Sequence, residues 1–255
     1  MCAHDNQVAG IEVRLARLTW VEVERRQRAG WRTAVLPLGA TEQHGPHLPL
    51  GTDSLIGGAL AVRVARRLGA AFALPVLPVG ASDEHREFAG TLSVAHETVA
   101  ALVGDVCAGL VSRGFGTVVV FSAHGGNERG LELAAERLAG LPQVVLADRE
   151  AAFSAGEFLA RRGVEPGRAG AHAGLAETSM TLAIDPSAAA MEAASPGYVG
   201  PLDAVWSVLT TAGVRQVAPS GVLGDPVGAS AQLGEDCLEA WAATICEAVE
   251  RRGFR

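Results

Sequence analysis

The sequence predicts an α/β protein with a mostly parallel sheet covered by helices on both faces. Apolar, β-branched segments of strand length alternate with segments of helical apolar periodicity, at short connections. The composition is rich in Ala, Gly, Val and Leu, and only 5% of the residues are aromatic, which suits helices on a parallel sheet better than a β-sandwich. No polar linker interrupts the 255 residues, so we expect a single domain over residues 1–255.

The first half of the chain supplies three of the predicted strands. The strand at residues 117–121 is the clearest, because it is a run of Val between Thr and Phe. Two prolines in the segment at residues 72–79 favour a sheet edge for that strand. In order, we predict a helix at residues 11–29, a strand at 33–38, a helix at 54–68, a strand at 72–79, a helix at 96–113 and a strand at 117–121.

The second half continues the alternation and then becomes irregular. Residues 163–174 form a Gly/Pro-rich loop, and residues 185–221 show little periodicity. In order, we predict a helix at residues 128–138, a strand at 143–147, a helix at 149–162, a short helix at 202–209 and a terminal helix at 230–251.

Charge and hydropathy exclude several classes of function. The net charge is −7 and no basic run exceeds two residues, so we expect neither nucleic-acid binding nor a polybasic membrane patch. No apolar run is long enough to span a bilayer, and the first residues contain no signal-peptide pattern, so we expect a cytoplasmic protein.

Lysine and cysteine usage narrows the chemistry further. The chain contains no lysine, which excludes a Schiff-base lysine, a pyridoxal-phosphate site and a P-loop. The spacing of Cys2, Cys107, Cys237 and Cys246 fits neither a metal site nor a redox motif. We therefore expect these cysteines to be small apolar residues without disulfides.

The loop after the first predicted strand concentrates side chains that bind metals. Residues 42–53 contain the carboxylates of Glu42 and Asp53 and the imidazoles of His44 and His47. Two prolines and two glycines restrict its backbone, and it leaves the end of a strand, where open α/β sheets keep their sites. Carboxylates and imidazoles together suit divalent metals. In this loop alone, Asp53 could equally be the N-cap of the next helix.

Two further loops carry matching side chains. His124 directly follows a predicted strand, and His172 and Glu177 lie in and just after the Gly/Pro-rich loop. Parallel strands would bring the loops of Glu42 and His124 to one edge of the sheet. Two carboxylates, two imidazoles and Glu177 suffice for two divalent ions that share a carboxylate and ionise a water. For His124 alone, a hydrogen-bonded core histidine is the simpler explanation, and Asn127 can cap the following helix.

These motifs, in this order, resemble the creatininase family of metal-dependent amidohydrolases. The family implies a three-layer α/β/α sandwich, often assembled as a hexamer, with a binuclear site for Zn, Fe or Mn. By position, the metal ligands implied are Glu42, His44, Asp53 and His124, with Asp53 bridging the two ions. The segments that carry the resemblance are residues 41–49 with Asp53, the His-Gly-Gly-Asn run at residues 124–127, and residues 172–174 with 177–179.

The remaining site residues follow from the same resemblance. Creatininase itself has a ligand Glu where this chain has Gly126, so Glu177, a catalytic carboxylate position in creatininase, would also have to complete the second metal shell. His172 matches the family's catalytic histidine, which shuttles a proton to the leaving nitrogen or holds the tetrahedral oxyanion. His47 and His85 are open between supporting the loops and contacting the substrate.

Residues 80–91 and 220–226 are similar to the branch of the family found in the mycofactocin system. That branch implies a peptidase that releases a C-terminal Val-Tyr dipeptide from a modified precursor peptide. The alternative is a hydrolase of a small amide, such as a lactam or a formamidopyrimidine. A third hypothesis is a non-catalytic metal-binding or sugar-nucleotide-binding protein. It is disfavoured because no Gly-rich phosphate fingerprint follows a strand and structural zinc sites usually use Cys and His.

Overall fold

A computed structural model describes residues 10–147 and 154–253 of the chain. Within these ranges the strands form one all-parallel sheet in the order β2-β1-β3-β4, so the predicted edge position of β2 is confirmed. β1 and β3 are paired along their whole length, and Leu38 lies opposite Ser122 where both strands end. The strands are β1 (Thr33–Leu38), β2 (Ala71–Ala73), β3 (Thr117–Ser122) and β4 (Val144–Leu146).

Helices cover both faces of this sheet, and short 3₁₀ turns occur in the connections. The longest helix is the last one, and its N-cap Ser230 accepts a hydrogen bond from the backbone of Leu233. The helices are α1 (Trp20–Arg28), α2 (Thr52–Leu68), α3 (His96–Ser112), α4 (Glu128–Leu138), α5 (Ser154–Ala160), α6 (Pro166–Ala169), α7 (Leu175–Ile184), α8 (Trp206–Ala212) and α9 (Ala231–Arg251).

Alternate residues of β1 and β3 bury opposite faces of the sheet, as the pleat requires. On one side, Val35 and Val119 pack in a cluster with residues of α2, α7 and α9. On the other side, Leu36 and Val120 pack in a second cluster with residues of α3 and α4. The predicted three-layer α/β/α fold is therefore confirmed.

The first predicted helix is shorter than its pattern suggested. Thr19 and Glu22 form a capping box, each side chain bonding the other's backbone N–H, and α1 starts at Trp20. Before this cap, Arg14 instead forms an isolated bridge beside Ala73 of β2. Local capping chemistry therefore overrides the apolar periodicity at residues 11–19.

Two other predicted elements are also shorter. The strand predicted at residues 72–79 ends at Ala73, because Pro75 and Pro78 cannot donate to a ladder, and only Leu77 bridges back to β1. Of the helix predicted at residues 149–162, the part at Ser154–Ala160 is helical, and residues 149–153 lie outside the described residues.

The cysteines match their expected role where the structure describes them. Cys107 and Cys237 are buried and Cys246 is partly buried, all three are free thiols, and burial raises the pKa of each to about 11. Cys2 lies outside the described residues. In the part of the chain described, no helix combines the length and apolar character that crossing a membrane requires.

Candidate metal centre

Three loops meet at the carboxyl edge of the sheet. β1 and β3 end side by side, so the loop after Leu38 and the loop after Ser122 begin as neighbours. The first loop folds back on itself, since the Glu42 N–H donates to Leu50 O at 2.9 Å. The third loop lies against the first, since His172 Nε2 is 2.5 Å from the backbone carbonyl oxygen of Gln43. The convergence predicted from topology is confirmed.

Glu42, Asp53 and His124 form the first group of candidate ligands, called here the deep trio. All three side chains are buried. His124 lies between the two carboxylates, with Nε2 3.3 Å from Glu42 Oε2 and Nδ1 3.4 Å from Asp53 Oδ2. Their ligand atoms lie within 4.8 Å of one another, close enough to bind one cation.

His44, Asp53 and Glu177 form the second group, called here the outer trio. His44 Nε2 lies 3.1 Å from Asp53 Oδ1 and 3.8 Å from Glu177 Oε2. The Glu177 side chain is 20% exposed, and its Oε2 accepts a hydrogen bond from Ala173 N at 2.5 Å. Asp53 belongs to both trios and turns a different oxygen toward each histidine.

Unpaired oxygens provide the test of whether these residues suit metal ions. Glu42 Oε1, Glu42 Oε2 and Asp53 Oδ2 are buried and have no hydrogen-bond partner. Leaving a buried carboxylate without partners costs several kcal/mol unless an ion compensates. Hard oxygen donors beside imidazole nitrogens form a donor set that suits Zn²⁺, Mn²⁺ and Fe²⁺. The residues therefore fit divalent metal binding.

The pKa values of the metal-free cluster also fit the binding of divalent metal ions. Burial raises the pKa of Glu42 to about 7, more than the neighbouring His124 lowers it. Burial alone would lower the pKa of His44, but the Asp53 carboxylate outweighs it, and the pKa rises to about 10. Without metal, these raised pKa values keep protons on Glu42 and His44, and metal binding must displace them.

Neither Asp53 nor Asn127 caps a helix with its side chain. The N-cap of α2 is Gly51, so Asp53 lies in the first helical turn and its carboxylate faces the two trios. Asn127 is the N-cap residue of α4 by position, as expected, but its side chain makes no capping bond. Instead, its Oδ1 accepts from Ala81 N and its Nδ2 donates to Gly39 O, both at 3.0 Å.

This amide bridge supports the deep trio. It ties the end of β1 to Ala81, and the Ala81 carbonyl lies 2.8 Å from His124 Nε2. The ring of His124 is thereby held by a backbone acceptor, which is how metal-binding histidines are commonly oriented. The simpler reading of His124 as an ordinary core histidine does not account for the two carboxylates beside it.

His172 lies beside both trios. Its Nδ1 is 3.5 Å from Glu42 Oε1, and its ring stacks on His44 with centroids 4.2 Å apart. Burial, together with the neighbouring His44 and His85, lowers the pKa of His172 well below its usual value. Ala173, the next residue, has φ of 52°, a conformation that is costly for a residue with a Cβ and clusters at functional sites.

The two histidines left open have different positions. His47 is buried away from the cluster, and its Nε2 pairs with Thr178 Oγ1 at 3.0 Å, which ties the first loop to α7. His85 is also buried, but its Nε2 lies 3.5 Å from Glu42 Oε1. Its position is therefore that of a residue facing the site, and His47 supports the loop.

Gly126 occupies a position where no side chain fits. A Cβ there would overlap the Ala81 carbonyl oxygen and His124 Nε2, and would lie 3.0 Å from Glu84 Oε1. A carboxylate ligand on this residue would require the 80–91 loop to move. Glu177 is the carboxylate placed to complete the outer trio instead.

Sequence reasoning missed the part played by Gln43. Its side-chain amide lies within hydrogen-bond distance of His85, His172 and the Gly221 carbonyl. Gln43 lies between two predicted ligands in a loop, and neighbouring residues in an extended segment point to opposite sides. That alternation was the only signal in the sequence.

The chain is similar in sequence to known metal-dependent hydrolases. A family model described as Creatininase: Creatinine amidohydrolase matches residues 16–249. A mycofactocin precursor peptide peptidase from Mycobacterium ulcerans (strain Agy99) is 37% identical over 217 residues, which cover 80% of this chain and 79% of that protein. A creatinine amidohydrolase from Pseudomonas putida is 31% identical over 254 residues, 92% of this chain and 95% of that protein.

Solved structures of creatininase share the fold. A crystal structure of creatinine amidohydrolase superposes with a TM-score of 0.76 at 30% identity, covering 94% of this chain and 97% of that one. A manganese form of creatininase has a TM-score of 0.75 at 28% identity, over 94% and 98% of the two chains. A mutant creatininase of Zn-Zn type has a TM-score of 0.72 at 27% identity with the same coverage.

Proposed function

The chain belongs to the creatininase family of metal-dependent hydrolases, and we propose that its substrate is the modified precursor peptide of the mycofactocin system, from which it releases a C-terminal Val-Tyr dipeptide. One observation supports this choice of substrate: the mycofactocin precursor peptide peptidase matches at 37% identity, against 31% for the creatinine amidohydrolase. The position of Gly126 agrees with this choice, since the chain departs there from the creatininase pattern.

We assign two divalent ions to the cluster. The deep trio, Glu42, Asp53 and His124, would hold one, and His44, Asp53 and Glu177 would hold the other. The assignment of Asp53 as the bridge rests on its two oxygens, which face different histidines at 3.1 and 3.4 Å. When bound, such ions supply Lewis acidity and lower the pKa of a water.

The protein side chains would supply orientation and proton handling. Glu42, Asp53 and His172 are buried, which strengthens the charge interactions among them. His172 places Nδ1 beside Glu42, where it can take a proton and return it to the leaving amine. Glu177 Oε2 accepts from Ala173 N and lies 3.8 Å from His44 Nε2, so the backbone bond holds this carboxylate beside the outer trio.

A small amide is the second candidate substrate. It is favoured by the creatinine amidohydrolase relative, which aligns with 92% of this chain, and by the TM-score of 0.76 to creatininase. The same ligands would serve either substrate, so the cluster does not discriminate between them.

Mass spectrometry of the products separates the two candidates. The enzyme, loaded with zinc, manganese or iron, is incubated with the radical-modified precursor peptide and separately with creatinine and a formamidopyrimidine. We expect loss of a Val-Tyr dipeptide from the peptide, and no loss in a chelator-treated control. An intact peptide, with turnover of a small amide by the same sample, would transfer the assignment to the second candidate.

A further inference from the structure

The side-chain amide of Gln43 has a defined orientation. Its Oε1 accepts from Gly45 N at 2.9 Å, and its Nε2 donates to Gly221 O at 3.1 Å. Because a backbone N–H can only donate and a carbonyl can only accept, these two contacts fix which end of the amide is oxygen. Gly221 makes this approach possible, since a Cβ there would overlap Gln43 Oε1 and its φ is +86°.

Two histidines compete for the remaining N–H of this amide. His85 Nδ1 lies 2.7 Å from Gln43 Nε2, and His172 Nε2 lies 2.9 Å from it. His172 Nε2 also lies 2.5 Å from the backbone carbonyl of Gln43, which only accepts. His172 Nε2 therefore carries a proton and donates it to that carbonyl, and the free N–H of the amide goes to His85.

This pattern fixes the tautomer of His85. A ring nitrogen that accepts a hydrogen bond carries no proton, so the proton of His85 is on Nε2. That N–H faces the cluster, 3.5 Å from Glu42 Oε1 and 4.0 Å from Glu84 Oε1. Both distances exceed a normal N–H···O bond, so neither carboxylate engages the proton fully.

His172 presents the opposite side of its ring. Its Nε2 proton is engaged by the Gln43 carbonyl, and its Nδ1 lies 3.5 Å from Glu42 Oε1. The rings of His85 and His172 are in contact, with centroids 4.4 Å apart and planes tilted by 35°. His172 therefore presents the lone pair of Nδ1 to the site, and His85 presents its Nε2–H.

We propose that His85 is a catalytic hydrogen-bond donor, which stabilises the oxyanion formed when a carbonyl is attacked at this site, and that Gln43 is the residue that positions it. The proposal rests on the proposed amide hydrolysis. No proton is transferred: His85 Nε2 donates a hydrogen bond to the oxyanion, and the proton stays on the ring. A preorganised donor of this kind is expected to contribute about 10²–10³-fold to kcat.

The kinetic test compares His85→Phe, which has no donor, with His85→Gln, which keeps an N–H. We expect His85→Phe to lower kcat about 10²–10³-fold with KM little changed, and His85→Gln to recover part of the loss. Both variants should retain the metal content of the wild type by elemental analysis. His96→Gln, a histidine outside the cluster at the start of α3, is the matched control. Loss of metal, or kcat within threefold of wild type, overturns the assignment.

A spectroscopic test needs neither substrate nor a folded His85→Phe. Nitrogen-15 NMR of the zinc-loaded wild type, with the His85 signal identified by its absence in His85→Gln, should show the Nε2–H tautomer. In Gln43→Glu, whose carboxylate only accepts, the His85 proton should move to Nδ1 and kcat should fall. An Nδ1–H tautomer in the wild type overturns the proposal.

The two tests also separate this inference from the proposed function. The kinetic arm uses whichever substrate the wild type hydrolyses, the modified peptide or a small amide. If it hydrolyses neither, the proposed function fails, and the tautomer and metal measurements still decide the state of His85.

Discussion

The deep and outer trios share Asp53 but differ in how much of their charge the protein itself compensates. In the deep trio, three carboxylate oxygens of Glu42 and Asp53 are buried without hydrogen-bond partners. In the outer trio, His44 and Asp53 pair at 3.1 Å, and Glu177 is partly exposed and bonded to Ala173 N. The first half of the cluster is incomplete without a cation, and the second half is largely satisfied by the protein.

This difference has an energetic consequence. An ion that enters the deep trio compensates three buried oxygens that make no hydrogen bond, whereas an ion that enters the outer trio must first replace the 3.1 Å hydrogen bond between His44 and Asp53. We therefore expect two metal ions to bind with unequal affinity, the deep one more tightly.

Asp53→Ala should remove both ions, because Asp53 belongs to both trios. We expect loss of both metal equivalents and a fall in hydrolysis of at least about 10³-fold, since the metal-activated water is lost with them. Elemental analysis after desalting gives the metal content, and circular dichroism shows whether the variant is folded. One full equivalent retained by folded protein would contradict a shared Asp53.

Glu42→Gln and Glu177→Gln should affect different ions. Glu42 is fully buried with both oxygens unpaired, so its amide variant should weaken one ion by about 100-fold, close to 3 kcal/mol. Glu177 is already bonded to Ala173 N and is 20% exposed, so Glu177→Gln should lower the affinity for the other ion only about 10-fold. Competition titrations with a chelator measure both. Equal weakening by the two variants would remove the distinction between the trios.

Metal affinity should rise with pH. The pKa of Glu42 is raised to about 7 and that of His44 to about 10, so both carry protons at pH 6 in the metal-free protein. Binding must displace these protons, which changes affinity by about tenfold per pH unit for each one. We expect binding of the metal ions to release at least two protons below pH 7, and at least one proton between pH 7 and 10. Calorimetry in buffers of different ionisation enthalpy counts them.

The stability of the metal-free protein should change in the opposite direction. A raised His44 pKa contributes stability that is present below its usual value of 6.5 and is lost as pH rises through about 10. The raised pKa of Glu42 disfavours the ionised form, so this group also reduces stability as pH rises from 4.5 to about 7. Thermal unfolding in a chelating buffer measures the trend. For the preceding prediction, a metal affinity that stays constant from pH 6 to 9 would contradict the raised pKa values of both Glu42 and His44.

Asn127→Ala should have the smallest effect, confined to the deep trio. It leaves Ala81 N and Gly39 O without their 3.0 Å partners, at a cost of about 1–3 kcal/mol in unfolding free energy. Because Ala81 O also holds His124, we expect the deep ion to weaken at most about 10-fold and the outer ion to be unchanged. Urea denaturation and chelator competition measure both. Weakening of the outer ion alone would show that this bridge supports a different part of the cluster.

The sequence was most informative where local physics determines structure. The strands β1 and β3 and the helices α2, α3, α4 and α9 follow directly from apolar periodicity and capping, and they set the order of the α/β units. The predicted ligands Glu42, His44, Asp53 and His124 lie in one cluster because the carboxyl ends of the adjacent parallel strands β1 and β3 share an edge, and Glu177 joins them from α7. The start of α1 at Trp20 was missed, although the Thr19–Glu22 capping box that sets it is a pattern readable in the sequence.

Groups that lie on distant segments come together only in the folded protein. Gln43, His85, His172 and Gly221 are far apart in sequence, and which nitrogen donates to which oxygen depends on ångström distances between loops. The same holds for Asn127, whose partners Gly39 and Ala81 lie on other segments. The sequence determined which side chains can bind a metal, because that is a property of residue type and order. Burial, unpaired oxygens and proton positions are properties of packing, and packing exists only in the folded chain.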